Sequence, residues 1–241
     1  MFKNVFAAEM LKYRRSLSPW LAVLGGFFPA LVALLFLVTA DSAATWDTVA
    51  ATGLNFFNML ALLLVSVLAG RAFEMEYHGG GINRMHVYPI PRGLQYLVKL
   101  LAAALLVLAM HGFFFLFTLA LGRLAAGGAL TAAAALRWLK ITLLVAAGNI
   151  ALAPLAALAG ILFRSAGAYI LTGIGCFVAY MSFAGSEAAR FAQPCVPSEM
   201  LTAWLAGGQA LTPGLSGMLA VSAAVFLILA CAGAVCYIRA E

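Results

Sequence analysis

The stretch RAFEMEYHGGGINRMHVYPIPRGLQYLVK, residues 71–99, lies between two long apolar runs and gathers charges, glycines and prolines that are scarce in the runs on either side. In a sequence this apolar, such an island reads as a docking surface for a soluble partner, and its flanks read as membrane crossings. Glu74 and Glu76 close the preceding crossing, Gly79-Gly80-Gly81 follows, and residues 82–87 can form a short helix. Pro89 and Pro91 must end it, because proline drives the residue before it out of the helical region. Arg92 and Lys99 then flank the start of the next crossing. A short stiff helix held between prolines and two long crossings can pass a push from a soluble domain to both crossings at once.

The composition supports the membrane reading on either side of this island. Of the 241 residues, 65% are hydrophobic and 9% charged, and the mean hydropathy is +1.06, more apolar surface than one soluble core could hide. A bilayer core of about 30 Å needs roughly 20 apolar helical residues to cross it, since each residue rises about 1.5 Å and lipid offers no partner to a free backbone group. Six runs meet that requirement, at 19–40, 52–72, 95–121, 138–162, 166–184 and 216–238. The expected fold class is therefore all-α and polytopic, with no room for a soluble catalytic domain. The basic start is amphipathic rather than apolar, so no cleavable signal peptide is expected and the first run stays in the membrane.

An even number of crossings places both termini on one side, and lysine and arginine near the crossing ends choose that side. With the amino terminus in the cytoplasm, Lys3, Lys12, Arg14, Arg15, Arg71, Arg84, Arg92, Lys99, Arg164 and Arg239 face inward, ten of the fourteen basic residues. Four of the eight acidic residues lie on each side, so the inner side carries the whole formal charge of +6. Topology and lipid head groups account for the basic balance, and nucleic acid is not needed.

Residues 1–18 form an expected interfacial helix, with the remaining 19–241 as the transmembrane domain. On a wheel of about 100° per residue, Phe2, Val5, Phe6, Met10, Tyr13 and Leu17 share one face, and Lys3, Asn4, Lys12, Arg14 and Arg15 the other. Glu9 falls in the middle of the apolar face, where an unpaired carboxylate would be costly. Either it meets a basic partner elsewhere in the protein, or the face is incomplete and it stays exposed. Pro29 and Pro154 sit inside crossings and should kink them. The outer loop, about 185–215, is too apolar for a free loop and too broken by proline and glycine for a seventh crossing, so it reads as short helices capping the bundle at the outer interface.

Little in the chain suggests catalysis. No HExxH, GxSxG or suitably placed carboxylate pair is present, and the glycine triplet lacks the Lys-Ser/Thr of a phosphate loop. His78, His86 and His111 share no thiol or carboxylate constellation, so no metal is expected. His111 is the ionisable residue deepest in the membrane, while Arg71, Lys99 and Lys140 lie near crossing ends where they can snorkel. The crossings lack the carboxylates that an ion-driven carrier normally uses. Asn55, Asn58, His111 and Asn149 either line a substrate path or bond helix to helix.

The acidic pair Glu74 and Glu76, the glycines, Asn83, Pro89, Pro91-Arg92, Tyr96 and Lys99 resemble the loop after the second span of ABC type-2 (ABC-2) permeases. In those permeases an acidic pair and glycines precede a short helix, then P-x-S-R and a Lys. The run is similar more closely to lantibiotic- and bacteriocin-immunity permease subunits, which carry E, then N, P-I-x-R/K, Tyr and K-L at like spacing; Pro91 stands where Ser is common. The whole layout fits: an amphipathic helix ending in K-x-R-R, six spans, a cytoplasmic coupling helix in the loop at about 73–94, and a capped outer loop. The resemblance implies that two permease chains, identical or sister, pair in the cell membrane and bind cytoplasmic ABC ATPase subunits. It gives Glu74, Glu76, Asn83, Arg84, Met85, His86, Pro89, Pro91 and Arg92 the ATPase contact, with ATP and Mg held by the partner and no cofactor in this chain. The implied activity is export, or expulsion from the membrane, of a hydrophobic or amphipathic substrate, with self-protection against an antimicrobial peptide as one setting. Two rivals remain: a non-transporting scaffold or sensor that recruits a cytoplasmic partner, and a lipid-modifying enzyme with His111 as base.

Overall fold

The computed structural model describes residues 2–14, 16–39, 45–77, 90–126, 128–183 and 213–239. The described residues form eight helices and no strand: α1 (Phe2–Arg14), α2 (Ser18–Thr39), α3 (Trp46–Tyr77), α4 (Arg92–Ala125), α5 (Ala132–Ile150), α6 (Ala153–Phe163), α7 (Ala166–Phe183) and α8 (Pro213–Arg239). Five runs are long and apolar enough to cross a bilayer: α2, α3, α4, the α5–α6 run Ala132–Phe163, and Leu219–Arg239 of α8. The apolar part of α7, Ala166–Ser182, is shorter than these, so five crossings are supported by length and composition and α7 sits at the margin. The expected short helix at 82–87 and most of the outer loop, 184–212, lie outside the described residues.

Two helices run well beyond the expected apolar cores. Residues 73–77 of α3 and 92–94 of α4 stay helical although several are charged, because their polar groups find partners inside the protein, as described below. α1 ends earlier than expected. Ser16 N–H donates to Tyr13 O at 2.9 Å, its hydroxyl accepts from Ser18 N–H at 3.2 Å, and α2 begins at Ser18. Pro19 then occupies an early helical position, where its missing N–H is harmless.

α3 is the axis of the bundle. Phe57, Ala61, Leu62, Val65, Leu68, Ala69 and Phe73 are fully buried along it, and α2, α4, α5, α6 and α7 all pack on it. α2 lies against α3 and α4 with Trp20, Leu24, Phe28 and Leu35 exposed on its outer side, a lipid-facing stripe. Close approach is set by glycine. A Cβ on Gly26 would stand 2.6 Å from the Phe114 backbone nitrogen, and one on Gly160 would stand 2.8 Å from the Gly70 carbonyl oxygen. These contacts let α2 touch the α4 backbone and α6 touch that of α3, the small-residue packing that replaces the hydrophobic effect between helices in lipid.

The two prolines behave differently. Pro29 is buried in a continuous α2, whereas the fourth crossing breaks at Ala151–Leu152, two residues before Pro154. α6 ends on Arg164, whose left-handed backbone (φ 50°) turns the chain within two residues into α7.

Candidate functional site: the ionic joint flanking residues 78–89

Four charged side chains from three helices meet at the end of the bundle where α3 stops and α4 begins. Lys99 of α4 donates to Glu9 Oε1 of α1 at 2.7 Å and pairs with Glu76 Oε1 of α3. Lys12 of α1 donates to Glu9 Oε2 at 2.7 Å and reaches Glu76 Oε1 at 3.4 Å. Two carboxylates and two ammonium groups balance to zero. Lys99 is 1% exposed and Glu9 and Glu76 about as buried, so each charge there depends on its partners. The Lys12 side chain is 44% exposed, and a cavity of about 410 Å³ between α1 and the start of α4 opens beside it.

The same end recruits α8. Tyr237 donates its hydroxyl to Glu76 Oε2 at 2.6 Å, and Arg92 Nη1 donates to the Ile238 carbonyl at 2.7 Å. Gln95 Nε2 donates back to the Ile90 carbonyl at 3.2 Å, fixing the chain where it enters α4 after Pro91, the N-cap residue. The α6–α7 corner closes the ring. Tyr169 of α7 donates to Glu74 Oε2 at 2.7 Å while its ring packs against Gly70, and Arg164 lies 4.9 Å over the Tyr77 ring. Three separate stretches of chain, α1, α8 and the α6–α7 corner, thus grip the ends of α3 and α4 that flank residues 78–89.

Charge and burial compete on α1. Burial alone would raise the Glu9 carboxyl, but the charge of Lys99 and hydrogen bonds from Lys12 and Lys99 hold it below the usual carboxylate range. Burial likewise opposes the Lys12 ammonium, and its hydrogen bond to Glu9 with the charges of Glu9 and Glu76 pushes it up. Burial and the same two carboxylates raise the Tyr13 phenol.

Of the residues singled out in the sequence, Glu9 finds its basic partner, and Lys99 does not snorkel but is sealed inside the joint. Glu74 and Glu76 turn their carboxylates into the bundle, and Arg92 reaches α8. Arg14 lies exposed on α1, while Arg15, Asn83, Arg84, Met85, His86 and Pro89 lie outside the described residues. Tyr237, Tyr169 and Gln95 had no signal beyond their places near crossing ends, where aromatic residues are common.

A second polar group lies deeper. His111 Nδ1 stands 2.7 Å from the Val107 carbonyl and so carries the proton, leaving Nε2 to accept from Asn149 Nδ2 at 3.1 Å. The Phe57 ring covers the imidazole at 4.6 Å. Its free lone pair is therefore occupied, which disfavours a role as general base. Asn58 is fully buried beside Phe57, and among the described residues neither its amide nor its carbonyl has a partner. Asn55 is half-buried on the same helix.

The family model for ABC-2 family transporter proteins matches residues 5–183, from α1 through α7. The chain belongs to the ABC-2 transporter family. No curated protein matches the sequence. As an ABC-2 family member with several apolar crossings, the chain is a multi-pass membrane protein and a transport subunit rather than an enzyme. The joint built by α1, α3 and α4 lies almost wholly within the matched region, with Tyr237 of α8 beyond it.

Proposed function

We propose that this chain is the permease subunit of an ATP-driven ABC exporter, moving a hydrophobic or amphipathic substrate out of the cell or membrane with force from separate ATPase subunits. The observation that carries the reading is the convergence of α1, α3, α4, α7 and α8 on the two ends of residues 78–89. A connection meant only to link two helices needs no such anchorage. Here Glu74 and Glu76 bolt the foot of α3, Arg92 ties the start of α4 to α8, and the ATPase contact falls to the segment between, with Asn83, Arg84, Met85, His86 and Pro89. The excess of lysine and arginine at this end supports a cytoplasmic position for it and for both termini. A second copy or sister chain completes the pore, and an antimicrobial peptide in a self-protection system is the substrate class we put first. Asn55, Asn58, His111 and Asn149 are proposed as polar stations along the path.

The test is purification with the ATPase expressed beside it, followed by ATP turnover and vesicle transport. The complex is expected to hydrolyse ATP faster when an amphipathic peptide is present, and Arg84→Glu should lower that stimulation without changing the thermal stability of the bundle. A chain that captures no ATPase, or moves no cargo while binding a cytoplasmic protein, is the scaffold of the alternative reading.

A further inference from the structure

We infer that the break in the fourth crossing forms, with α8, a binding groove for an amphipathic molecule carrying an N–H or O–H donor on an apolar body. The groove has a volume of about 480 Å³ and is lined on one side by Gly148, Ile150 and Ala151 and on the other by Ser222, Phe226 and Leu227. It lies near the middle of the Ala132–Phe163 run, at the depth where lipid supplies no hydrogen bonds.

The hydrogen-bond ladder shows what such a groove lacks. At the end of α5, Ala151 N–H donates to Ala147 O at 3.1 Å, and Leu152 N–H shortens its reach to Asn149 O at 3.1 Å, passing over Gly148. Pro154 has no N–H to offer Ile150 O. Leu155 and Ala156 N–H both go to Leu152 O, at 3.0 and 3.4 Å, leaving Ala151 O aside. The carbonyls of Gly148, Ile150 and Ala151 therefore lack the N–H four residues on that an unbroken helix would bring to each of them, and these three residues line the groove. Irregular backbone at membrane depth persists where it lines a cavity that something polar enters. A plain acyl chain fits the apolar wall but satisfies no carbonyl, and a freely soluble polar molecule would lose its hydration against Phe226 and Leu227. The occupant must combine both properties, and Ser222 adds a hydroxyl on the facing wall. As a station for cargo the groove rests on the permease reading; as a binding site it can be tested without it.

The full chain is placed in lipid nanodiscs without nucleotide or ATPase and exposed to a photoreactive diazirine-bearing long-chain primary alcohol, in parallel with the methyl ether of equal length. Labelled peptides are mapped by mass spectrometry. The alcohol is expected to label residues 147–151 and 219–227 about tenfold more than the ether, the ratio that one satisfied hydrogen bond supplies. Ala223→Phe, which fills the groove from the exposed side of α8, should abolish this labelling. Pro154→Ala restores an N–H facing Ile150 O and should pull the alcohol-to-ether ratio toward one. Equal labelling by the two probes, or alcohol labelling unchanged by Ala223→Phe, overturns the inference; should Pro154→Ala not fold, those two outcomes decide alone. Because no ATPase is present, failure here leaves ATP-driven transport untouched. Loss of the transport reading likewise leaves the labelling result standing.

Discussion

Replacing Lys99 with methionine should be among the most damaging single changes outside the close-packed glycines. The side chain is 1% exposed and is shared by Glu9 and Glu76, each about 5% exposed, so its removal leaves two buried carboxylates to the one remaining ammonium, Lys12, which is itself partly in solvent. Breaking a buried ion pair by deleting one member costs about 3–5 kcal/mol, because the surviving charge keeps its desolvation penalty without its partner. At about 1.4 kcal/mol per factor of ten, that lowers the folded-to-unfolded ratio by roughly two to four orders of magnitude. The damage is a charge imbalance rather than a lost volume, since methionine nearly fills the same space. Lys99→Met with Glu9→Gln restores the balance, leaving Glu76 with Lys12 and Tyr237, and should recover more than half of the loss. The assay is a double-mutant cycle on unfolding in mixed micelles, followed by the fluorescence of the chain's tryptophans, with ATP turnover of the complex read beside it. The reasoning is refuted if Lys99→Met costs less than about 1 kcal/mol, or if the two substitutions simply add.

Three further outcomes follow from single contacts. Tyr237→Phe removes the 2.6 Å hydrogen bond to Glu76 Oε2 and should cost about 1.5–3 kcal/mol, the range for a bond to a charged group, in the same unfolding measurement. Gly26→Ala drives a methyl to 2.6 Å from the Phe114 backbone nitrogen and should destabilise by about 1–3 kcal/mol, whereas Gly112→Ala, with nothing within 4 Å, should be neutral or mildly stabilising; equal effects would count against the close packing of α2 on α4. Attachment of α1 should depend on pH at both extremes. The Glu9 carboxyl is depressed in the folded chain, so its contribution is full above its ordinary value near 4.5 and is lost as pH falls through the lower folded value. The Lys12 ammonium is raised, so its contribution is full below its ordinary value near 10.5 and is lost as pH rises through the higher one. Hydrogen exchange of residues 2–14 should stay slow across that window, and release of α1 at neutral pH would contradict the joint.

The crossings were legible because lipid imposes a length and a hydrophobicity that few sequences meet by accident. Glu9 was legible for the opposite reason, as a charge where the helical period demanded an apolar residue. Its partner was not, since Lys99 is ninety residues away and sits near a crossing end, where snorkelling and burial look alike in sequence. Tyr237 and Tyr169 were hidden by the same degeneracy, because a tyrosine near a crossing end reads as an interfacial anchor whether its hydroxyl meets a head group or a buried glutamate. The break at Ala151–Leu152 was half visible. Pro154 announced a kink, but Pro29 made the same announcement inside a helix that runs on uninterrupted, and only the packing of Gly160 on Gly70 shows why the fourth crossing has a separately fixed second half.

These features also fix where the bundle can deform. At one end α1, α3, α4 and α8 share a neutral ionic joint, and α7 is added through Glu74, so a force applied between residues 77 and 92 moves several helices as one piece. At the opposite end Asp47 of α3 holds Arg137 and Trp138 of α5, the latter at 2.8 Å, so the first half of the fourth crossing is fixed to the start of α3. The second half, α6, is fixed to the other end of α3 through Gly70. Between these two attachments lies the stretch whose hydrogen-bond ladder is already interrupted, so bending there has fewer regular helical bonds to break than elsewhere in the crossing. Under the proposed function, force delivered by an ATPase at the joint is relieved at Ala151–Leu152, beside the groove between α5 and α8. A permease needs its stiffness and its give in that order along the path from motor to cargo.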